Sequence, residues 1–169
     1  MALYSASTDD LATVFCFLVF LETKEELRKM TIYDLAEPED ADQRAMLDRF
    51  VAAFEAKDVA AMVTIFTKDA VWEMPPFTGW YVGGEDIARL IDTQCPAQGP
   101  GDMRLVPTRA NGQYAFGLYM RDGDVYRPFN LPVLTLTPAG VSHVTAFFDV
   151  RLFAKFGLPE SMPVSVSAA

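Results

Sequence analysis

Glu73 is the residue whose setting best suits acid–base chemistry. It stands between Trp72 and Met74 and is followed at once by Pro75 and Pro76. If it faced an apolar pocket, lost hydration would raise its pKa toward a range useful to a general acid or base. The competing readings are a solvent-facing strand position and an ion pair with Arg104 or Arg127, since strand alternation by itself permits either face. Asn130 lies in the otherwise apolar stretch PFNLPVLTL. There it could orient a carbonyl or hydroxyl in a pocket, or satisfy a backbone group at a Pro-rich bend. Tyr119 could donate its hydroxyl to a developing oxyanion or serve only as pocket wall. His143 is the only histidine. Alternation sets it opposite Val144 and Ala146, on a sheet's outer face, where a dimer-interface or surface position is expected.

Other chemistries lack their residues. The chain contains no GxSxG, no GxGxxG, no phosphate-binding loop and no cysteine with an accompanying histidine. Cys16 and Cys95 lie far apart and outside any CxxC spacing, so reduced thiols in a cytoplasmic protein are expected. Metal binding fails on ligand supply, and no cofactor is expected. A net charge of −9 with no basic run argues against nucleic acid and anionic membrane as partners and favours a neutral or weakly polar ligand.

These groups must be positioned by a chain of 169 residues, enough for one domain with a self-supporting core. Ser7, Thr8 and Asp9 offer N-caps to a helix running through the apolar segment Val14 to Leu21 and on to Met30, although a strand over Phe15 to Phe20 is an alternative. That segment is too short to span a bilayer and has Asp9 and Asp10 ahead of it, so neither a membrane span nor an export signal is expected. Residues 1–38 thus read as a helical extension and linker. Asp40 or Asp42 can cap a helix with Leu47, Phe50, Val51 and Phe54 on one face. Asp58 can cap a short one carrying Val59, Met62, Val63 and Phe66. A strand over Ala70 to Met74, a Gly- and aromatic-rich loop with Trp80 and Tyr81, and a helix with Ile87, Leu90 and Ile91 inward come next. Four strands follow, Met103 to Ala110, Gln113 to Arg121, Val125 to Thr137 and Val141 to Asp149, separated by Asn111-Gly112, Asp122-Gly123 and Ala139-Gly140. A closing helix over Val150 to Phe156 and a loose tail from 160 complete an α+β order.

The segments FVAAFEAKD (Phe50 to Asp58), DAVWEMPP (Asp69 to Pro76), WYVGGEDI (Trp80 to Ile87) and FFDVRLF (Phe147 to Phe153) resemble the SnoaL-like superfamily over Gln43 to Pro159. The likeness is strongest to the C-terminal domain of some actinobacterial extracytoplasmic-function sigma factors. It is more distant to limonene epoxide hydrolase and ketosteroid isomerase. The resemblance implies a curved sheet with helices on its concave face, a conical apolar pocket and often a homodimer formed on the outer face. The first residues are neither basic nor long enough to supply polymerase- and promoter-binding helices, so a stand-alone relative is expected.

Carried over residue by residue, the resemblance removes one chemistry. The hydrolases use an Asp-Arg-Asp set, but alignment on FFD puts Ala146 where one aspartate belongs. The other two positions fall on the strand Tyr114 to Arg121, whose inward residues by alternation are Ala115, Gly117 and Tyr119. Glu73 matches a polar pocket residue of the hydrolase, and the register set by FFD turns Asn130 inward. The expected catalytic groups are therefore Glu73, Asn130 and Tyr119. Trp72, Met74, Trp80, Tyr81, Phe116, Pro128, Val144, Ala146 and Phe148 are expected to line the pocket, with Trp80 and Tyr81 at its mouth. Two functions follow as expectations. One is a cofactor-free cyclase, isomerase or epoxide-opening enzyme for a hydrophobic natural-product-like molecule, and the other is a non-catalytic ligand-sensing or dimerisation module.

Overall fold

The computed structural model describes residues 41–164; the expected N-terminal helix and the Asp40 cap lie outside the described residues. Helix α1 (Ala41–Glu55) buries Met46, Leu47, Phe50, Ala53 and Phe54, a stripe at the helical period. Asp58 caps α2 (Val59–Ile65) by accepting a hydrogen bond from the Ala61 N–H at 3.0 Å. Phe66 looks like the last member of that helix's apolar stripe, yet it is the first residue of β1 (Phe66–Glu73).

Five further strands complete the main sheet. They are β2 (Trp80–Val82), β3 (Met103–Ala110), β4 (Gln113–Asp122), β5 (Val125–Thr137) and β6 (Gly140–Phe147), in the order β2-β1-β6-β5-β4-β3. The edges β2 and β3 do not meet, so the curved sheet stays unclosed. The β1–β6 pair is parallel and the other neighbours run antiparallel. Asn111 and Gly112 both have positive φ, as the tight β3–β4 hairpin demands. β2 is a strand where the sequence reads as loop, because three exposed residues pair onto the edge of β1. Within the described part of the tail, β7 (Met162–Pro163) pairs with Tyr126 and Val125.

One sheet face packs on α1, α2 and the amphipathic α3 (Gly84–Gln94). Glu55 fastens α1 to edge strand β3, its carboxylate accepting from the Leu105 N–H and from the Arg104 guanidinium, each at 3.0 Å. The opposite face is partly covered by α4 (Arg151–Lys155), whose Phe153 packs with Leu158 against Tyr119, Ala115 and Leu131. Asp149 lies two residues ahead of α4, accepting from the Arg151 backbone N–H at 3.0 Å while chelating its guanidinium. That arrangement holds the Asp149 carboxyl below the usual carboxylate range, chiefly through the side-chain bonds to Arg151.

Candidate functional site

Between the helices and the sheet lies a cavity of about 110 Å³, lined by Phe50 and Phe54 of α1, Leu90, Ile91 and Gln94 of α3, and Met103, Leu105 and Leu118 of β3 and β4. Trp72, Met74, Cys95, Phe129, Asn130, Pro132 and Phe148 complete the wall. Its inner end is aromatic: Phe54 lies parallel to Trp72 with centroids 5.9 Å apart, and Phe50 stacks on Phe54 at 4.4 Å. At the half-buried end Phe148 meets Phe129 edge-on at 5.2 Å and the exposed Phe77 at 5.7 Å.

A β-bulge shapes this wall. Leu118 pairs with Asn130, but the next residue, Tyr119, pairs with Pro128, leaving Phe129 as an extra residue in β5. The extra residue breaks alternation, so the neighbours Phe129 and Asn130 both line the cavity. Asn130 is the single buried polar side chain among the described residues, 4% exposed, and its Oδ1 has no hydrogen-bond partner. Trp72 buries its Nε1 equally unpartnered. Cys95 adds a thiol whose pKa is pushed up by burial, so it stays protonated.

Of the residues expected to line the pocket, Trp72, Met74 and Phe148 do so, and Asn130, expected as a catalytic group, stands in the same wall. Val144, Ala146 and Phe116 share that side of the sheet, but are packed into its core rather than exposed to the cavity. Tyr81 pairs with Trp72 and shares its face, but sits at the exposed sheet edge.

Glu73, Trp80, Tyr119 and Pro128 lie away from the cavity, contrary to expectation. Glu73 lies one residue beyond Trp72 and therefore on the outer face. There its Oε1 accepts from Thr145 Oγ1 at 2.8 Å and from His143 Nε2 at 3.0 Å. These two bonds, that of Thr145 foremost, hold its pKa below the ordinary glutamate range, the opposite of the shift an apolar pocket would cause. Arg104 and Arg127 are engaged elsewhere, with Glu55 and Asp122. His143 is on the outer face, as alternation places it. Trp80, paired with Glu73, also points outward and is 68% exposed.

Tyr119 is fully buried on the outer face, its hydroxyl donating to the Pro159 carbonyl at 2.8 Å and its ring edge-on to Phe153 at 5.0 Å. Burial pushes its pKa up. Pro128 follows it to that face by pairing. The inward residues of β4 are thus Phe116 and Leu118, one step out of phase with Ala115, Gly117 and Tyr119. The signal available in the sequence was Gly117, where an added Cβ would come within 2.8 Å of Leu158 and 2.9 Å of Phe153, which marks a face pressed under a helix. Gln94, Cys95, Met103 and Pro132 were missed as lining residues, because sequence periodicity does not say which core positions border a gap.

Among the described residues no three His, Cys, Asp or Glu side chains converge as metal ligands, and no helix is long and apolar enough to cross a membrane. A SnoaL-like domain family matches residues 47–151. An extracytoplasmic-function RNA polymerase sigma factor, SigG of Mycobacterium tuberculosis, is 53% identical over 128 residues, covering 76% of this chain and 35% of the sigma factor. The chain therefore spans about a third of that relative's length. An NTF-2 like protein from Burkholderia xenovorans superposes with a TM-score of 0.53 at 16% identity, over 64% of this chain and 83% of that one. An M. tuberculosis LEH-like epoxide hydrolase gives 0.51 at 19%, over 70% and 90%. These two likenesses establish the fold.

Proposed function

The chain belongs to the SnoaL-like domain family, and from that premise we propose that it is a non-catalytic ligand-binding module, of the kind a sigma factor such as SigG would carry as a sensing domain. The observation that carries this reading is the cavity wall. Fifteen residues line it, none is Asp, Glu, His, Lys or Arg, and the one thiol is kept protonated. Acid–base turnover needs a group that gains or loses a proton near neutral pH within reach of the reacting atom. A cyclase, isomerase or epoxide-opening reaction would have to proceed here on the amides of Gln94 and Asn130, an indole N–H and a thiol. Binding needs only an apolar wall and a few oriented polar groups, which this wall offers. The 53% identity to the sigma factor supports the same reading, and a cytoplasmic location is part of this proposal.

Native mass spectrometry of the purified chain after exposure to a cell extract tests the proposal. A small molecule retained at unchanged mass is expected; appearance of a converted product would overturn the reading.

The outer face supports a second element of the proposal, assembly with another copy of the chain. Trp80 at 68% and Val82 at 48% exposure stand together on the edge strand β2, Val82 paired with half-buried Val71, and two adjacent exposed large apolar residues suit an interface. Light scattering should report a dimer, and Trp80→Glu should shift it to monomer.

A further inference from the structure

His143, the chain's only histidine, is held in place on the outer sheet face by the strands at either side. Val71 of β1 pairs with it on one side and Thr135 of β5 on the other. Two residues along β1, on the same face, Glu73 receives the His143 Nε2–H at 3.0 Å and the Thr145 hydroxyl at 2.8 Å. Glu73 is also the cross-strand partner of Trp80, the most exposed large apolar side chain among the described residues. Directly paired residues stand about 5 Å apart, so a surface that covers Trp80 covers the Glu73 and His143 pair as well.

The charge of that pair turns on one proton. Glu73 is held ionised by its two donors and can only accept, which makes Nε2 the protonated ring nitrogen and leaves Nδ1 with the lone pair. With Nδ1 bare the pair is a net anion; with Nδ1 protonated it is a hydrogen-bonded ion pair without net charge. Among the described residues no other cation is bonded to Glu73. Opposite His143 and Thr145, β5 presents Thr135 and Val133, and β2 presents Trp80 and Val82, while Lys68 and Asp69 of β1 are exposed and opposite in sign. Helix α4 reaches this face through Leu152 and Phe156 beside Thr145, its Arg151 held by Asp149 and its Lys155 exposed.

In a single chain water screens the pair, whose side chains are 39% and 38% exposed. A second copy seated on Trp80 would strip that water from two such pairs at once. In the anionic form this places two carboxylates without a counter-charge in one interface, between chains that each carry −9. The neutral form avoids the uncompensated charge. Resting on the assembly reading above, we infer that protonation of His143 at Nδ1 switches the outer face from one that resists a second copy to one that accepts it.

An imidazole changes charge between about pH 5 and 8, and the single histidine makes the test specific. Sedimentation equilibrium of the native chain at pH 6 and at pH 8, at one ionic strength, measures the dimer constant. The dimer should be about fivefold tighter at pH 6, the upper end of what a partly exposed ion pair supplies. By linkage, the titration midpoint of the one histidine Cε1–H resonance should move to higher pH as protein concentration is raised. His143→Gln keeps a donor for Glu73 but does not titrate, so its dimer constant should stay level over the same range. Glu73→Gln should invert the order, with the weaker dimer at pH 6, where His143 gains a charge that has no partner. A native dimer equally strong at both pH values, or stronger at pH 8, overturns the inference and leaves assembly standing, as does a tightening that persists in His143→Gln. Absence of a dimer at both pH values counts against both. The native order and the movement of the resonance decide the matter even if neither variant folds.

Discussion

The two faces of the sheet divide the molecule's resources sharply. On the helix-covered face β1, β4 and β5 contribute Trp72, Leu118 and Asn130 to an apolar cavity. On the other face the same strands carry Glu73 and Tyr119, one residue along, and Pro128, two residues back across the bulge, and β6 adds His143 and Thr145. The acid–base candidates Glu73, Tyr119 and His143 are all on the side away from the cavity. Residue types that look like an active site in the sequence are therefore divided by a sheet one backbone thick. What the cavity retains is an apolar shape with few polar side chains, the means of binding rather than of turnover.

Substitutions on the two faces should differ in both size and sign. Phe50→Ala, at the centre of the aromatic stack on the cavity side, should cost about 3–5 kcal/mol, since it removes a fully buried ring and widens a gap already present. Urea denaturation measures it, and a loss below about 1 kcal/mol would mean that the helices are not seated on this face. Tyr119→Phe on the outer side should cost about 1 kcal/mol, the value of one hydrogen bond to the Pro159 carbonyl. Ligand affinity should not change, and a drop in affinity would put Tyr119 back at the cavity.

Asn130→Leu should move stability the other way. It replaces a buried acceptor that has no partner with an apolar group of similar size, so the ligand-free protein should hold steady or gain up to about 1 kcal/mol. A marked loss of melting temperature would show that the amide is satisfied from within the protein.

Glu73→Gln should have the smallest effect, under about 1 kcal/mol at pH 7, because the Glu73 and His143 side chains are 38% and 39% exposed and water screens the pair. The pH dependence has a definite sign. Glu73 is more acidic folded than unfolded, so its contribution is present above about pH 4.3, the ordinary glutamate value, and is lost as pH falls through the lower folded value. Comparing native and Glu73→Gln melting curves between pH 3 and 7, the difference should shrink only at the acid end. A difference that instead grew as pH fell would reverse the assignment of Glu73 to the hydrogen-bonded outer site.

The residue pattern alone determined much of the architecture. Turn chemistry at Asn111-Gly112 located the β3–β4 hairpin to the residue, and β3 and β5 have the expected limits. Helical periodicity identified Leu47, Phe50 and Phe54 as core, and the motifs FVAAFEAKD, DAVWEMPP, WYVGGEDI and FFDVRLF indicated the family. Within the candidate site, Trp72, Met74, Asn130 and Phe148 were legible.

Which side of the sheet each strand residue occupies was decided only by tertiary structure. Alternation states that neighbours oppose one another, but not which of them faces the helices; that absolute phase is set by which side of the paired sheet is buried and by the turns that fix its register. For β1 the parallel pairing with β6 turned Trp72 inward and sent Glu73 out to Thr145 and His143. For β4 the burial of Tyr119 beneath Phe153 settled the matter. In β5 the extra residue at Phe129 undid alternation itself, bringing Asn130 to the cavity while turning Pro128 away. A bulge exists only between two paired strands, so its consequences first take form when the sheet assembles.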